Sequence, residues 1–208
     1  MTKTTVLVTG ATGLVGRHLA KRAADAGHEV QAMVRANSDR SALDGVPVRF
    51  IEGDLAKPET LPAAVAEADI VVHTAAHVGD WGPAEKYRAI NVVALEHMLT
   101  AVERQGRLKR WIQISSLGVY PARHHYGTDE TVPPDLSGLD GYTQTKAEAE
   151  MVINRHARDH GLPAVILRPG FIYGPGDRHA LKRIVDRILA GKMKFLGPGD
   201  RLLNNTAV

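Results

Sequence analysis

Thr4-Thr5-Val6-Leu7-Val8-Thr9-Gly10-Ala11-Thr12-Gly13-Leu14-Val15-Gly16 is where a β-branched, apolar run gives way to three glycines and then to helix-forming residues. Such an order reads as strand, tight turn, helix. Gly10 and Gly13 allow the backbone to turn sharply and approach a ligand, Gly16 lets the helix lie close to the strand, and the free N–H groups of the first helical turn then point at a phosphate. Ordinary tight turns also contain Gly-x-x-Gly-x-x-Gly, and its place directly after an N-terminal strand is what favours a dinucleotide pyrophosphate as occupant. Gly10, Thr12, Gly13, Leu14, Val15 and Gly16 are the expected cradle.

Outward from this stretch, the bulk composition bounds the rest. The chain has 208 residues, 44% of them hydrophobic, enough for one domain or one and a part. Lys and Arg number 26 against 23 Asp and Glu, a net charge of +3 spread along the chain, which argues against a nucleic-acid partner. Cysteine is absent, so disulfides and thiolate metal sites are excluded, and no N-terminal apolar segment suggests a signal peptide or a membrane partner. The cytoplasm is the expected compartment.

The helix after the turn, Leu14 to Ala26, stops at Gly27, and a second strand runs from Glu29 to Val34. Dinucleotide folds that prefer NAD place an acidic residue near the end of this strand. Arg35 stands there, with Ser38 and Arg40 following, a set suited to a 2′-phosphate, so NADP is favoured over NAD; two solvated surface arginines are the alternative. Val46 to Ile51 reads as a third strand, which puts Asp54 and Leu55 at its carboxyl end beside the cofactor, and Glu59 to Ala68 as a short helix. Asp69 to His73 is a buried strand whose exit, Thr74-Ala75-Ala76, is small enough for a cofactor to pass closely. His73 and His77 have the spacing of metal ligands, as do His156 and His160, but no third ligand follows either pair at useful spacing, so no metal is expected.

Ala84 to Gln105 reads as one long helix containing Asn91, and Arg110 to Ser116 as a fifth strand with Ser115 and Ser116 at the edge where open α/β sheets bind ligands. Residues 117 to 140, broken by Pro121, Pro133, Pro134, Gly118, Gly127 and Gly138, form a long loop of the kind that is usually functional. A strong helix follows from Gly141 to about His160. Tyr142 and Lys146 share one of its faces, where an ammonium beside a phenol favours phenolate and suits acid/base work. Pro163 to Arg168 is a sixth strand, and Pro169, Gly170 and Phe171 open an aromatic loop that walls the nicotinamide pocket. Ala180 to Ala190 is a cationic amphipathic helix, and Phe195 to Val208 begins a strand that no closing element follows. The expected fold is α/β, a doubly wound parallel sheet.

Thr9 to Gly16, Gly53-Asp54-Leu55, His73 to Ala76, Asn91, Ser115-Ser116, Tyr142 to Lys146 and Arg168-Pro169-Gly170 together resemble the extended short-chain dehydrogenase/reductases, the NAD-dependent epimerase/dehydratase family. Val78-Gly79-Asp80-Trp81-Gly82 and the basic residues after the second strand look most like its 3β-hydroxysteroid dehydrogenase and dihydroflavonol reductase branch. Ala94-Leu95 departs from the Gly-Thr that often follows the helix asparagine. The resemblance implies a Rossmann-type domain over residues 1–170 and an incomplete substrate lobe over 171–208, since members usually run on for about a hundred residues more. Such a fragment would bind dinucleotide and show little turnover.

By the same resemblance Tyr142 is the general acid/base, Lys146 lowers its pKa and holds the nicotinamide ribose, and Ser116 hydrogen-bonds the substrate oxygen. Asn91 supports a proton relay. Ser116 is preferred to Ser115 because members place the catalytic serine four residues before the tyrosine that Tyr120 matches. The implied activity is NAD(P)-dependent interconversion of a secondary alcohol and a ketone. Glu130 and Gly174 to Asp177 also occur in the nucleotide-sugar epimerases and dehydratases with retained NAD, and a non-catalytic NADP-sensing protein is a further alternative. A small-molecule carbonyl or alcohol is the expected partner, together with a second copy packed through helices 84–105 and 142–160.

Overall fold

In the computed structural model of the chain, residues 3–79, 82–138, 140–177, 180–194 and 203–208 are described. Asp80 and Trp81, and the start of the expected last strand at Phe195, lie outside them. The chain divides into two units, Met1–Arg168 and Pro169–Val208.

The first unit is built on six parallel strands, β1 (Thr5–Thr9), β2 (Glu29–Val34), β3 (Val48–Glu52), β4 (Ile70–His73), β5 (Arg110–Ile114) and β6 (Ala164–Leu167). Their order across the sheet is β3-β2-β1-β4-β5-β6. This is the doubly wound Rossmann order, in which the direction of winding reverses between β1 and β4 and opens a crevice at the carboxyl ends. Register brings those ends level, with Thr9 opposite both Met33 and His73.

Both faces of the sheet are covered, and the strand period of two sorts the side chains between them. Leu7, Val71 and Trp111 enter one core with residues of α2 (Leu61–Val65), α4 (Ala94–Gln105) and α5 (Gly141–His160), while Val6, Val8 and Val72 enter the other with Ala20 of α1 (Leu14–Asp25). Buried His73 at the end of β4 stacks on Trp111, with ring centroids 5.3 Å apart, and its Nδ1 lies 3.0 Å from the Thr9 hydroxyl. Burial, helped by the charge of Lys146, pushes its imidazole down to about 3, so it stays neutral in the folded chain.

The turn after β1 is glycine for steric reasons. Gly10 has φ +63°, and a Cβ on Gly16 would sit 2.2 Å from the Gly10 carbonyl oxygen, so α1 packs against the turn only without a side chain there. At the other end of the unit, α5 starts in a capping box: Thr143 N–H donates to the Asp140 carboxylate at 2.7 Å, and left-handed Gly161 ends the helix.

Four local readings differ from the structure. β3 starts at Val48 because Pro47 has no N–H for the ladder. The short helix expected over 59–68 is a 3₁₀ turn (Pro58–Thr60) running into α2. The long helix is continuous in path but divided into α3 (Ala84–Arg88), a π-helical turn (Ala89–Val93) and α4. Phe171–Tyr173, expected as loop, is strand β7 in the second unit and pairs in parallel with β8 (Asn205–Ala207). Three residues amid glycine and proline carry no readable period, and the partner lies more than thirty residues further on. The second unit also contains α6 (Ala180–Leu189).

Candidate active site

The crevice between β1 and β4 is a cleft of about 500 Å³. Gly10, Thr12, Gly13, Leu14, Val15, Gly16, Arg35, Asp54, Leu55, Thr74, Ala75 and Ala76, all expected at the cofactor, line it. So do Met33, Val34, Gly53, His77, Val78 and Ile90, which periodicity alone assigns to core or loop. Helix α1 begins at Leu14, with Gly13 at its N-cap offering no side chain and no acidic residue in its first turn. Its leading N–H groups and positive dipole end therefore face the cleft without an internal anion, and this fits the pyrophosphate of a dinucleotide.

Two expected cofactor contacts are occupied elsewhere. Arg40 is not among the cleft-lining residues; its guanidinium lies 4.9 Å from the centroid of the Phe50 ring, whereas Arg35 and Ser38 reach the cleft. Ser115 is buried, and its hydroxyl donates to Glu150 at 2.5 Å. Pro169, Gly170 and Phe171 belong to the second unit, where the Gly170 N–H donates to the Thr206 hydroxyl and the Phe171 N–H to the Asn204 carbonyl.

A second group of residues gathers at the end of β5. Ser116 caps the 3₁₀ turn Leu117–Val119, accepting from the Gly118 N–H at 3.0 Å, and its hydroxyl hydrogen-bonds the Tyr142 phenol. Lys146, buried one helical turn along α5 from Tyr142, donates to the Ile114 carbonyl at 2.8 Å, with Nζ 5.7 Å from the centroid of the tyrosine ring. The cleft and this group are joined by Asn91 in the π-helical turn. Its Oδ1 accepts from the His77 N–H at 2.7 Å, and its Nδ2 donates to the His77 carbonyl and to the Thr145 hydroxyl, both at 3.1 Å. Asn91 thus ties a cleft-lining loop to the residue before Lys146, and the π turn is what aims it there.

Burial is the largest influence on the phenol. It raises the Tyr142 pKa above its ordinary value, the Ser116 hydrogen bond pulls it down and the Asp140 charge raises it. Lys146, expected to lower this pKa, directs its ammonium at the Ile114 carbonyl from beside the ring. Burial also pushes Lys146 down, to about 8, while Glu150 holds it up. Between about 8 and the ordinary 10.5 the unfolded chain carries this proton and the folded chain does not, so stability climbs with pH across that window. Measured by urea unfolding, the parent is expected to gain about 3 kcal/mol over Lys146→Met as pH rises through it. A constant difference would mean that the ammonium is not desolvated.

Glu150 is the residue that sequence reading missed. It is buried one further turn along α5, where it accepts from Ser115 and from Arg168, whose Nη2 lies at 2.7 Å. Arg168 in turn donates to the Val132 carbonyl at 3.3 Å and stands 4.7 Å from the centroid of the Tyr120 ring. The spacing Tyr142, Lys146, Glu150 was a signal for it, since i, i+4 and i+8 share a face.

A sequence model of the NAD dependent epimerase/dehydratase family matches residues 6–203. The chain belongs to this family. It is 33% identical over 207 residues to a 2-alkyl-3-oxoalkanoate reductase of Stenotrophomonas maltophilia, the match covering 98% of the chain and 61% of the relative. It is 34% identical over 212 residues to a 3 beta-hydroxysteroid dehydrogenase/Delta 5-->4-isomerase of Mycobacterium tuberculosis, covering 98% and 56%. The chain therefore spans roughly three fifths of the length of these family members. Among solved structures, the Thermus thermophilus UDP-glucose 4-epimerase complex with NAD is similar with a TM-score of 0.81 and 26% identity, over 98% of the chain and 70% of that structure. Among the described residues no helix is long and apolar enough to cross a membrane.

Proposed function

We propose that the chain carries the cofactor-binding and catalytic residues of an oxidoreductase that interconverts a secondary alcohol and a ketone with a nicotinamide dinucleotide, NADP in preference to NAD. The observation that supports this most is the hydrogen-bonded path from cleft-lining His77 through Asn91 to Thr145, which ties the cleft wall to the helix that carries Tyr142 and Lys146. When bound, the nicotinamide supplies or accepts the hydride. Tyr142 gives its phenolic proton to the substrate oxygen in reduction and takes it back in oxidation, and the Ser116 hydroxyl hydrogen-bonds the same oxygen. Lys146 keeps a positive charge beside the phenol below about pH 8. A second cleft of about 320 Å³ begins at Leu117 and Gly118 and reaches Thr143 on α5, a place suited to the carbonyl substrate. The two relatives, named for a 3-oxoalkanoate and a 3β-hydroxysteroid, favour a ketone or secondary alcohol of this kind. A homodimer through the helical stretch 84–105 and α5 fits the same reading, with Val93 and Met151 exposed there.

Purified chain incubated with NADPH and a panel of 3-oxo acids and cyclic ketones tests the reaction. Consumption of NADPH supports it. Stoichiometric NAD released on unfolding, without ketone reduction, favours the nucleotide-sugar epimerase reading, and dinucleotide binding with neither favours a non-catalytic binding protein. Cofactor preference rests on Arg35. Arg35→Asp is expected to weaken NADP binding about tenfold to a hundredfold, the worth of a charge-assisted phosphate contact, and to leave NAD bound at least as well. Arg40→Ala is expected to change little, because that guanidinium is turned to Phe50. Calorimetric titration with both dinucleotides checks each variant, and equal affinities in the parent would overturn the assignment.

A further inference from the structure

We propose that the carboxyl ends of α4 and α5 carry a binding site for a zinc-class divalent cation, built from Glu103, His156 and His160. The sequence offers His156 and His160 as a pair without a third ligand; the fold supplies one from another helix. Their ligand atoms all lie within 4.8 Å of one another. His156 is buried and its Nδ1 is 2.5 Å from Glu103 Oε1, and the His160 ring, one turn further on, has its centroid 5.4 Å from that of His156.

Four-coordinate zinc with bonds of about 2.0–2.1 Å needs ligand atoms about 3.3 Å apart. The Glu103–His156 contact must open by less than an ångström, with the cation taking the place of the proton between them. His160 is exposed at the last turn of α5, and rotation of its side chain closes the third edge. Two imidazoles and one carboxylate leave a fourth position for water on the exposed side. That donor set suits zinc, cobalt or nickel, whereas calcium and magnesium demand oxygen ligands.

The site is remote from the chemistry. His156 is fourteen residues beyond Tyr142 on one straight helix, about 21 Å along its axis at 1.5 Å per residue. In a parallel sheet flanked by antiparallel helices, the carboxyl ends of α4 and α5 lie at the edge opposite the clefts. The cation would act as a clamp between the two helices, which already meet through Arg155–Glu96 and Glu103–His156.

The test is titration of the chelator-treated chain with Co²⁺ and Zn²⁺, followed by the visible absorption of bound cobalt and by the thermal unfolding midpoint. One equivalent of cobalt with tetrahedral d–d bands, displaced by zinc, and a higher midpoint with zinc are expected. His160→Ala removes an exposed side chain and should keep the metal-free midpoint, yet lose affinity by more than the tenfold to hundredfold, about, that outer-shell substitutions cost. Glu103→Gln should behave likewise, and His124→Ala, at a distant surface histidine, should bind as the parent does. Binding by His160→Ala equal to that of the parent, or no one-equivalent cobalt spectrum in the parent, would overturn the proposal.

Discussion

Tyr142→Phe is expected to lower turnover by about 100- to 10,000-fold on any ketone the protein reduces, while dinucleotide affinity stays within a small factor of the parent. The argument is geometric first. Removing one oxygen leaves the half-buried ring, its place beside Lys146 and the packing of α5 unchanged, and takes away only the group that moves the proton. The electrostatics agree with reduction. A phenol whose pKa is raised by burial is fully protonated at neutral pH, so it is ready as a donor, and the Ser116 hydroxyl is already engaged with it. Ser116→Ala should cost less, since it removes a hydrogen bond and leaves the proton donor in place. Single-turnover kinetics with calorimetric cofactor binding separate the two effects. A Tyr142→Phe protein that keeps most of its rate would sink the assignment of the acid/base.

What could be read from the sequence was what neighbouring residues decide among themselves. The strand, turn and helix at Thr5 to Asp25 are fixed by apolar β-branched residues, by glycines with no room for a side chain and by a local helical pattern, and all of these survive in the fold. The same holds for Glu29–Val34, found with the expected bounds, and for α5, whose cap at Asp140 and stop at Gly161 are local chemistry. What separates the two serines is something the sequence could not supply: the Ser115 hydroxyl is consumed by Glu150, while that of Ser116 caps the turn after β5.

The rest depended on residues far apart in the chain. Arg40 was assigned to the cofactor because nothing local says that it will settle on Phe50 of the next strand. Asn91 was singled out by the family resemblance, but nothing local says that the backbone of His77, fourteen residues earlier, holds both ends of its amide. The pairing of β7 with β8, and the meeting of Glu103 with His156, are likewise made by tertiary packing.

Glu150→Ala is expected to destabilise the first unit by about 3–5 kcal/mol, the loss typical when one partner of a buried ion pair is removed. The side chains of Glu150 and Arg168 are 1% and 12% exposed, so the guanidinium left behind stays shielded from water with its main acceptor gone. The Ser115 hydroxyl loses its acceptor in the same step. Glu150→Gln should cost less than alanine, because an amide oxygen still accepts from Ser115 and Arg168 while the charge is lost. The damage should come from the orphaned charge more than from the missing contact, and a double-mutant cycle separates these. Glu150→Leu with Arg168→Met replaces both charges by apolar groups and should recover much of the loss, as buried pairs do when both partners are exchanged. Urea unfolding of the parent, Glu150→Leu, Arg168→Met and the double variant measures the coupling. If the double variant is as unstable as the sum of its parts, then Glu150 holds α5 against β5 by its own packing, and the ion pair to Arg168 is incidental to the position of Lys146 one turn away.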